Sequence, residues 1–158
     1  MNPEARLLLE LLRIISDQSS PLSISPTNQV DWLRFQELVL RHHLAALFSQ
    51  ELPEDTPLPS PVRDQWETEY HRQLARKVLE QDCLSRILKA FDRSGIKVIV
   101  LKGPYLAQKY YPHPALRPCD DIDFLIHPAD KPTASRIIRE MNFSVVEETA
   151  TAEKFTET

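Results

Sequence analysis

The sequence predicts an α+β protein: a helical N-terminal region over residues 1–94, followed by an α/β core over residues 95–158. Three observations carry this. Apolar residues recur at helical spacing as far as Phe91. After Gly95 the pattern switches to short β-branched runs separated by a helical stretch. With 42% hydrophobic and 27% charged side chains, a chain of 158 residues can bury a core beneath an ordinary soluble surface.

The first helix is expected from Pro3 to Ser16. Pro3 suits a first helical turn, where its missing N–H costs nothing, and Leu7, Leu8, Leu11, Leu12 and Ile15 form one apolar face. Asp17 to Asn28, rich in Ser and Pro, reads as a loop. Asp31 is a good N-cap for a second helix with Trp32, Phe35, Leu38, Val39 and His42 inward. A kink is expected at His42-His43, after which Leu44, Leu47 and Phe48 continue the apolar pattern. Leu52 to Pro59 carries three prolines and reads as a linker. Ser60 and Pro61 read as N-cap and first helical residue of a helix reaching Ser94, with Trp66, Tyr70, Leu74, Val78, Leu84, Ile87, Leu88 and Phe91 on its apolar side. Gly95 sits where a left-handed C-terminal glycine belongs.

Beyond it, Ile96 to Leu101 has the β-branched composition of a buried strand, ended by Lys102-Gly103-Pro104. A short helix is expected from Tyr105 to Tyr111, a proline-rich loop from Pro112 to Pro118, and a second strand from Asp121 to Ile126. Pro128 to Met141 reads as a helix carrying Ile137 and Ile138, and Phe143 to Glu147 as a third strand. The tail from Thr149 to Thr158 has no strong pattern and is expected to fray.

Bulk properties exclude several functions. A net charge of -4 and a pI of about 5.7 argue against extended nucleic-acid binding, which shows as a basic surplus. The two cysteines, Cys83 and Cys119, make no C-x-x-C pair or ligand cluster and suit a reducing cytoplasm. Glu10 and Arg13 interrupt the N-terminal apolar run, which is unlike a signal peptide, and no window approaches the roughly 20 apolar residues of a membrane span. With Gly95 and Gly103 the only glycines, a P-loop and a dinucleotide fingerprint are both excluded.

The sharpest chemical feature is Asp121-Ile122-Asp123 at the head of the second apolar run. In a strand, Ile122, Phe124 and Ile126 share one face, while Asp121 and Asp123 share the other, with Cα atoms ~6.6 Å apart. Neighbouring carboxylates repel and need a cation, a basic neighbour or a shifted pKa. A hard divalent ion such as Mg²⁺ accepts such oxygen ligands and completes its shell with waters and substrate phosphates. The bland alternative is a solvated acidic face. Lys102 is able to meet a phosphate or to offset the aspartates, and is otherwise an exposed residue of a strand-ending turn. Gly103 would let the chain turn sharply or approach a ligand. Arg117 suits a phosphate clamp or an ion pair with Asp120, Asp121 or Asp123.

Taken together, Leu101-Lys102-Gly103, Tyr111, Arg117 and Asp121-Ile122-Asp123-Phe124-Leu125-Ile126 resemble the uncharacterised nucleotidyltransferase family of bacteria, within the DNA polymerase β-like superfamily. The approach Ser94-Gly95-Ile96-Lys97-Val98 matches too, and the resemblance is clearest over about Leu74 to Val146. It implies a mixed sheet with helices packed on one face and the metal site on the other. Asp121 and Asp123 match the metal-binding, catalytic aspartates; Lys102, Gly103 and Arg117 match recurrent positions at the nucleotide. The implied reaction is nucleoside monophosphate transfer from an NTP to an acceptor hydroxyl with Mg²⁺ or Mn²⁺.

Two departures stand against it. Gly103-Pro104 replaces the usual Gly-Ser or Gly-Gly, so one phosphate-binding N–H is missing, and no third carboxylate is assigned, although Glu147 and Glu148 are present. The core is therefore expected to be incomplete at its C-terminus, as an N-terminal fragment of such an enzyme would be, and a catalytically inactive binding or regulatory module of the same fold is the alternative function. The expected partner is a nucleoside triphosphate, without extended nucleic acid or membrane; the helical region is available to a protein partner or a second copy. His42, His43, His71, His113 and His127 lack ligand spacing, and Cys119 lacks a motif-related histidine, so none is taken as a site residue.

Overall fold

The computed structural model describes residues 2–17, 30–149 and 152–157. It divides into two compact units: Met1–Lys77 with Ala107–Pro118, and Val78–Leu106 with Cys119–Thr158. Most of the loop expected at Asp17 to Asn28 lies outside the described residues.

The first unit is helical. Helix α1 spans Pro3–Ser16, with the Asn2 side chain accepting the Ala5 N–H at 2.9 Å. Helix α2 spans Trp32–Arg41, with Asp31 Oδ1 accepting the N–H groups of Leu33 and Arg34 at 3.1 and 3.2 Å. The Asp31 N–H donates to the buried Glu4 carboxylate at 3.1 Å, which ties the starts of the two helices together. The expected break at His42-His43 is a left-handed stop: His43 has φ 55°, its N–H donates to Leu40 O, and the Leu44 N–H donates to Val39 O, both at 3.0 Å. Helix α3 follows at Ala45–Glu51, and helix α4 begins at Ser60. Burial of Leu7, Leu11, Phe35, Val39, Phe48 and Trp66 makes the core. Trp66 lies with its ring centroid 6.1 Å from Phe35 and 5.3 Å from Phe48. Each such side chain contributes roughly 1.5–3 kcal/mol through removal of apolar area from water.

Helix α4 runs unbroken for 34 residues, Ser60–Arg93, and its later turns belong to the second unit. Gly95 takes φ 71°, its N–H donates to Asp92 O at 3.0 Å, and the Ile96 N–H reaches Phe91 O at 2.9 Å. This double bond pattern closes the helix, and the accompanying apolar contact is Ile96 with Phe91. Ile96 is therefore the helix stop rather than the start of the strand, and β1 spans Val98–Leu101. It pairs antiparallel with β2, Asp123–Ile126, with Val98 opposite Ile126 and Leu101 opposite Asp123. Val98, Phe124 and Ile126 pack on Ile87, Phe91, Ala134 and Ile137, while Ile99 and Leu125 face outward as an exposed cross-strand pair.

Between these strands lies helix α5, Gly103–Tyr110, which begins two residues earlier than the sequence suggests. After β2, the expected single helix divides into a 3₁₀ turn at Pro128–Asp130 and helix α6, Lys131–Glu140. Asn142 supplies another left-handed stop at φ 67°. Strand β3, Phe143–Glu148, pairs antiparallel with β4, Glu153–Glu157, and Thr149 and Ala152 are hydrogen-bonded to each other. Within the tail expected to fray, Glu153–Glu157 thus forms a strand, held by its pairing with β3. The α+β class and the helical N-terminal region hold. In place of one mixed sheet, the described residues form two separate two-stranded antiparallel sheets. Period-2 patterning fixes which face of a strand is buried, but not which strand lies beside it. No helix among the described residues is long and apolar enough to cross a membrane.

Candidate functional site

The site forms where β1 gives way to α5. Because Leu101 is the register partner of Asp123, the first residue after β1 and the first residue of β2 are neighbours. Lys102 Nζ stands 3.2 Å from Asp123 Oδ2, with the lysine side chain 75% and the aspartate side chain 39% exposed. At that exposure the pair contributes only about 0.2–1 kcal/mol.

Lys102 has φ 48°, so the left-handed residue of this turn is the lysine and not Gly103. For a residue with a Cβ, that conformation costs roughly 1–2 kcal/mol, which the pairing of β1 with β2 and the start of α5 must outweigh. Gly103 is required for a different reason. A Cβ there would stand 3.1 Å from Cys119 Sγ, 3.3 Å from Cys119 Cβ and 3.4 Å from Asp121 O. The bare Cα thus seats the chain that leads into β2. Lys102 O accepts the Leu106 N–H at 2.8 Å and so opens α5. The first N–H groups of a helix have no intrahelical acceptor and attract anions; Pro104 withdraws one of them.

Asp123 opens β2, whereas Asp121 lies in the irregular segment just before it, with an exposed side chain. The pair is therefore not two positions of one strand, as the spacing suggested: the ladder stops at the Leu101–Asp123 pair, and Asp121 continues into the segment seated on Gly103. Lys102, Gly103, Asp121 and Asp123 all belong to the second unit. Arg117 belongs to the first, where it follows the 3₁₀ turn Pro114–Leu116, is half-buried, and donates its N–H to Pro114 O at 3.3 Å.

Among the described residues, no group of three or more His, Cys, Asp and Glu side chains is arranged to hold a metal ion. Asp121 and Asp123 carry oxygen donors of the hard kind that divalent ions accept, and such ions commonly take one or two carboxylates with waters and substrate phosphates completing the shell. Asp123 already draws a cation to contact distance, the Lys102 ammonium, so the local chemistry fits a positively charged occupant.

The sequence reading passed over one polar cluster. In the first unit a cleft of about 420 Å³ is lined by residues including Leu40, His43, Ala46, Glu69, Arg72 and Gln73. Glu69 accepts from Arg72 at 2.9 Å and from Gln73 at 2.7 Å. Burial pushes its carboxyl up, but the hydrogen bonds from Arg72 and Gln73 and the positive fields of Arg72 and His43 outweigh this and hold it below the ordinary carboxylate range. The Arg72 guanidinium is raised in turn by its bond to Glu69. The available signal was the spacing of Glu69, Arg72 and Gln73 on one helix face.

Compared with known families, residues 28–157 match a family model described as "Uncharacterised nucleotidyltransferase". Comparison with curated proteins and with solved structures gave no match.

Proposed function

The chain belongs to the uncharacterised nucleotidyltransferase family, and on that premise we propose that it transfers a nucleoside monophosphate from an NTP to an acceptor hydroxyl at the β1–α5 turn. Asp121 and Asp123 would hold a divalent ion, Mg²⁺ or Mn²⁺. Such an ion supplies Lewis-acid stabilisation of charge developing on the α-phosphate. Lys102 and the first turn of α5 bind the negative phosphates, and Gly103 lets the segment from Cys119 to Asp121 approach that turn closely. Arg117, expected as a phosphate clamp, lies in the first unit and is left out of this site. The acceptor oxygen bonds to the α-phosphorus, the bond from that phosphorus to the bridging oxygen breaks, pyrophosphate leaves with the electron pair, and the hydroxyl proton is released.

The observation that carries the reading is the convergence at one turn of a carboxylate, a cation and a helix N-terminus. Asp123 and Lys102 meet at 3.2 Å, and Gly103 begins α5 directly after the lysine. A cytoplasmic setting, where NTPs are available, fits this chemistry. A second reading, a catalytically inactive module of the same family, is favoured by Pro104 and by the lack of a three-residue metal cluster among the described residues.

Calorimetry with Mg²⁺ and ATP, comparing the wild type with Asp121→Ala/Asp123→Ala, tests the site. The wild type is expected to bind and the double variant to lose most of the binding. Identical binding by both removes the assignment. Pyrophosphate release with a panel of hydroxyl acceptors then separates the enzyme from the inactive module.

A further inference from the structure

We infer that Lys102 is a counter-charge that occupies Asp123 when metal is absent and moves to the triphosphate when nucleotide arrives, so that metal and nucleotide bind cooperatively. The inference rests on the assignment of Asp123 as a metal ligand and goes beyond it by giving Lys102 two successive partners.

Three observations support this. The Lys102 ammonium is 3.2 Å from Asp123 Oδ2, so it competes directly with a divalent ion for that carboxylate. The pair is weak enough to exchange: its lysine is 75% exposed, and a solvent-screened pair of this kind changes an equilibrium by only a fewfold. The backbone of Lys102 is held left-handed at φ 48°, and the residue immediately precedes the first turn of α5. The flexible lysine stem therefore starts at the helix end that attracts phosphate, and the ammonium can change partners without moving the turn. Repulsion between the ammonium and a divalent ion at Asp123 drives the exchange one way, and the charge on a triphosphate draws it the same way. Each ligand thus removes an obstacle to the other, and such coupling is reciprocal.

The test is Mn²⁺ titration of the full metal-free chain, followed by electron paramagnetic resonance without nucleotide, on wild type, Lys102→Met, Lys102→Arg and Asp123→Asn. Loss of the competing charge should make Lys102→Met bind Mn²⁺ roughly two- to fivefold tighter, while Lys102→Arg stays near wild type. ATP binding in excess EDTA should weaken in Lys102→Met, so the same substitution acts with opposite signs on the two ligands. A purely structural role for the lysine would not produce that opposition. Unchanged or weaker Mn²⁺ binding by Lys102→Met overturns the inference. If that result comes with loss of Mn²⁺ binding in Asp123→Asn, the metal assignment survives and only the exchange fails. If Asp123→Asn binds like wild type, or if none of the proteins binds Mn²⁺, the underlying assignment fails as well. Lys102→Gln repeats the measurement should the methionine variant fold poorly by circular dichroism.

Discussion

Gly103→Ala probes the seat on which the aspartate segment rests. The added methyl would meet Cys119 Sγ at 3.1 Å and Cys119 Cβ at 3.3 Å, with Asp121 O at 3.4 Å. The last is an ordinary contact, so the strain falls on Cys119, which is buried and has little room to yield. Overpacking of this kind costs about 1–3 kcal/mol. The reduced freedom of the unfolded chain returns about 0.4–1 kcal/mol, because Gly103 does not occupy the left-handed region. A net loss of ~1 kcal/mol is expected, read from urea unfolding followed by circular dichroism. The double variant Gly103→Ala/Cys119→Ala identifies the cause. Without Sγ the shortest contact is gone, but the 3.3 Å contact to Cβ remains, so rescue should be partial. A favourable coupling of about 0.5 kcal/mol or more is expected in the cycle. Strict additivity, or a Gly103→Ala variant as stable as wild type, would refute the close-approach argument.

Gly95→Ala should cost about 1 kcal/mol although its methyl meets nothing within 4 Å, because φ 71° alone is unfavourable for alanine. The reverse change at His43, φ 55°, should raise the urea midpoint: His43→Gly is expected to gain up to ~1 kcal/mol at the end of α2. Glu69→Gln should be destabilising at neutral pH and progressively less so in acid. The folded carboxyl lies below its unfolded value, so its stabilisation is present above the ordinary carboxylate range and disappears as pH falls through the lowered folded pKa. Urea midpoints for wild type and variant across that range should converge at the acid end, and a constant gap would exclude the charged network as the cause.

What could be read from the sequence follows from how local each signal is. Pro3, Asp31 and Gly95 act within one helical turn, and the ends they mark lie where local chemistry puts them. Ile96 was ambiguous: an apolar residue after a left-handed glycine serves equally as the first position of a strand and as the cap contact to Phe91. Strand pairing was not legible, since the apolar faces of β1 and β3 specify burial without naming a partner. Glu69, Arg72 and Gln73 looked like any solvated helix face until burial made their hydrogen bonds matter.

The candidate site illustrates the same limit in a more consequential way. Alternation along a strand explained Asp121 and Asp123 as two teeth of one pleat, yet only Asp123 is in the strand. What holds Asp121 is the absence of a side chain at Gly103, eighteen residues of folding logic away and visible only when the β1–β2 register is known. The same register brings Lys102 to Asp123, and the lysine, rather than the glycine beside it, takes the left-handed region. Lysine thus makes the turn that was expected of glycine while still offsetting Asp123, and glycine admits the close approach of the segment from Cys119 to Asp121. Placing them in the opposite order would put a side chain against Cys119 and remove the ammonium from Asp123. The order Lys102-Gly103 is therefore a requirement of charge placement and packing together, and it follows from the pairing of Leu101 with Asp123.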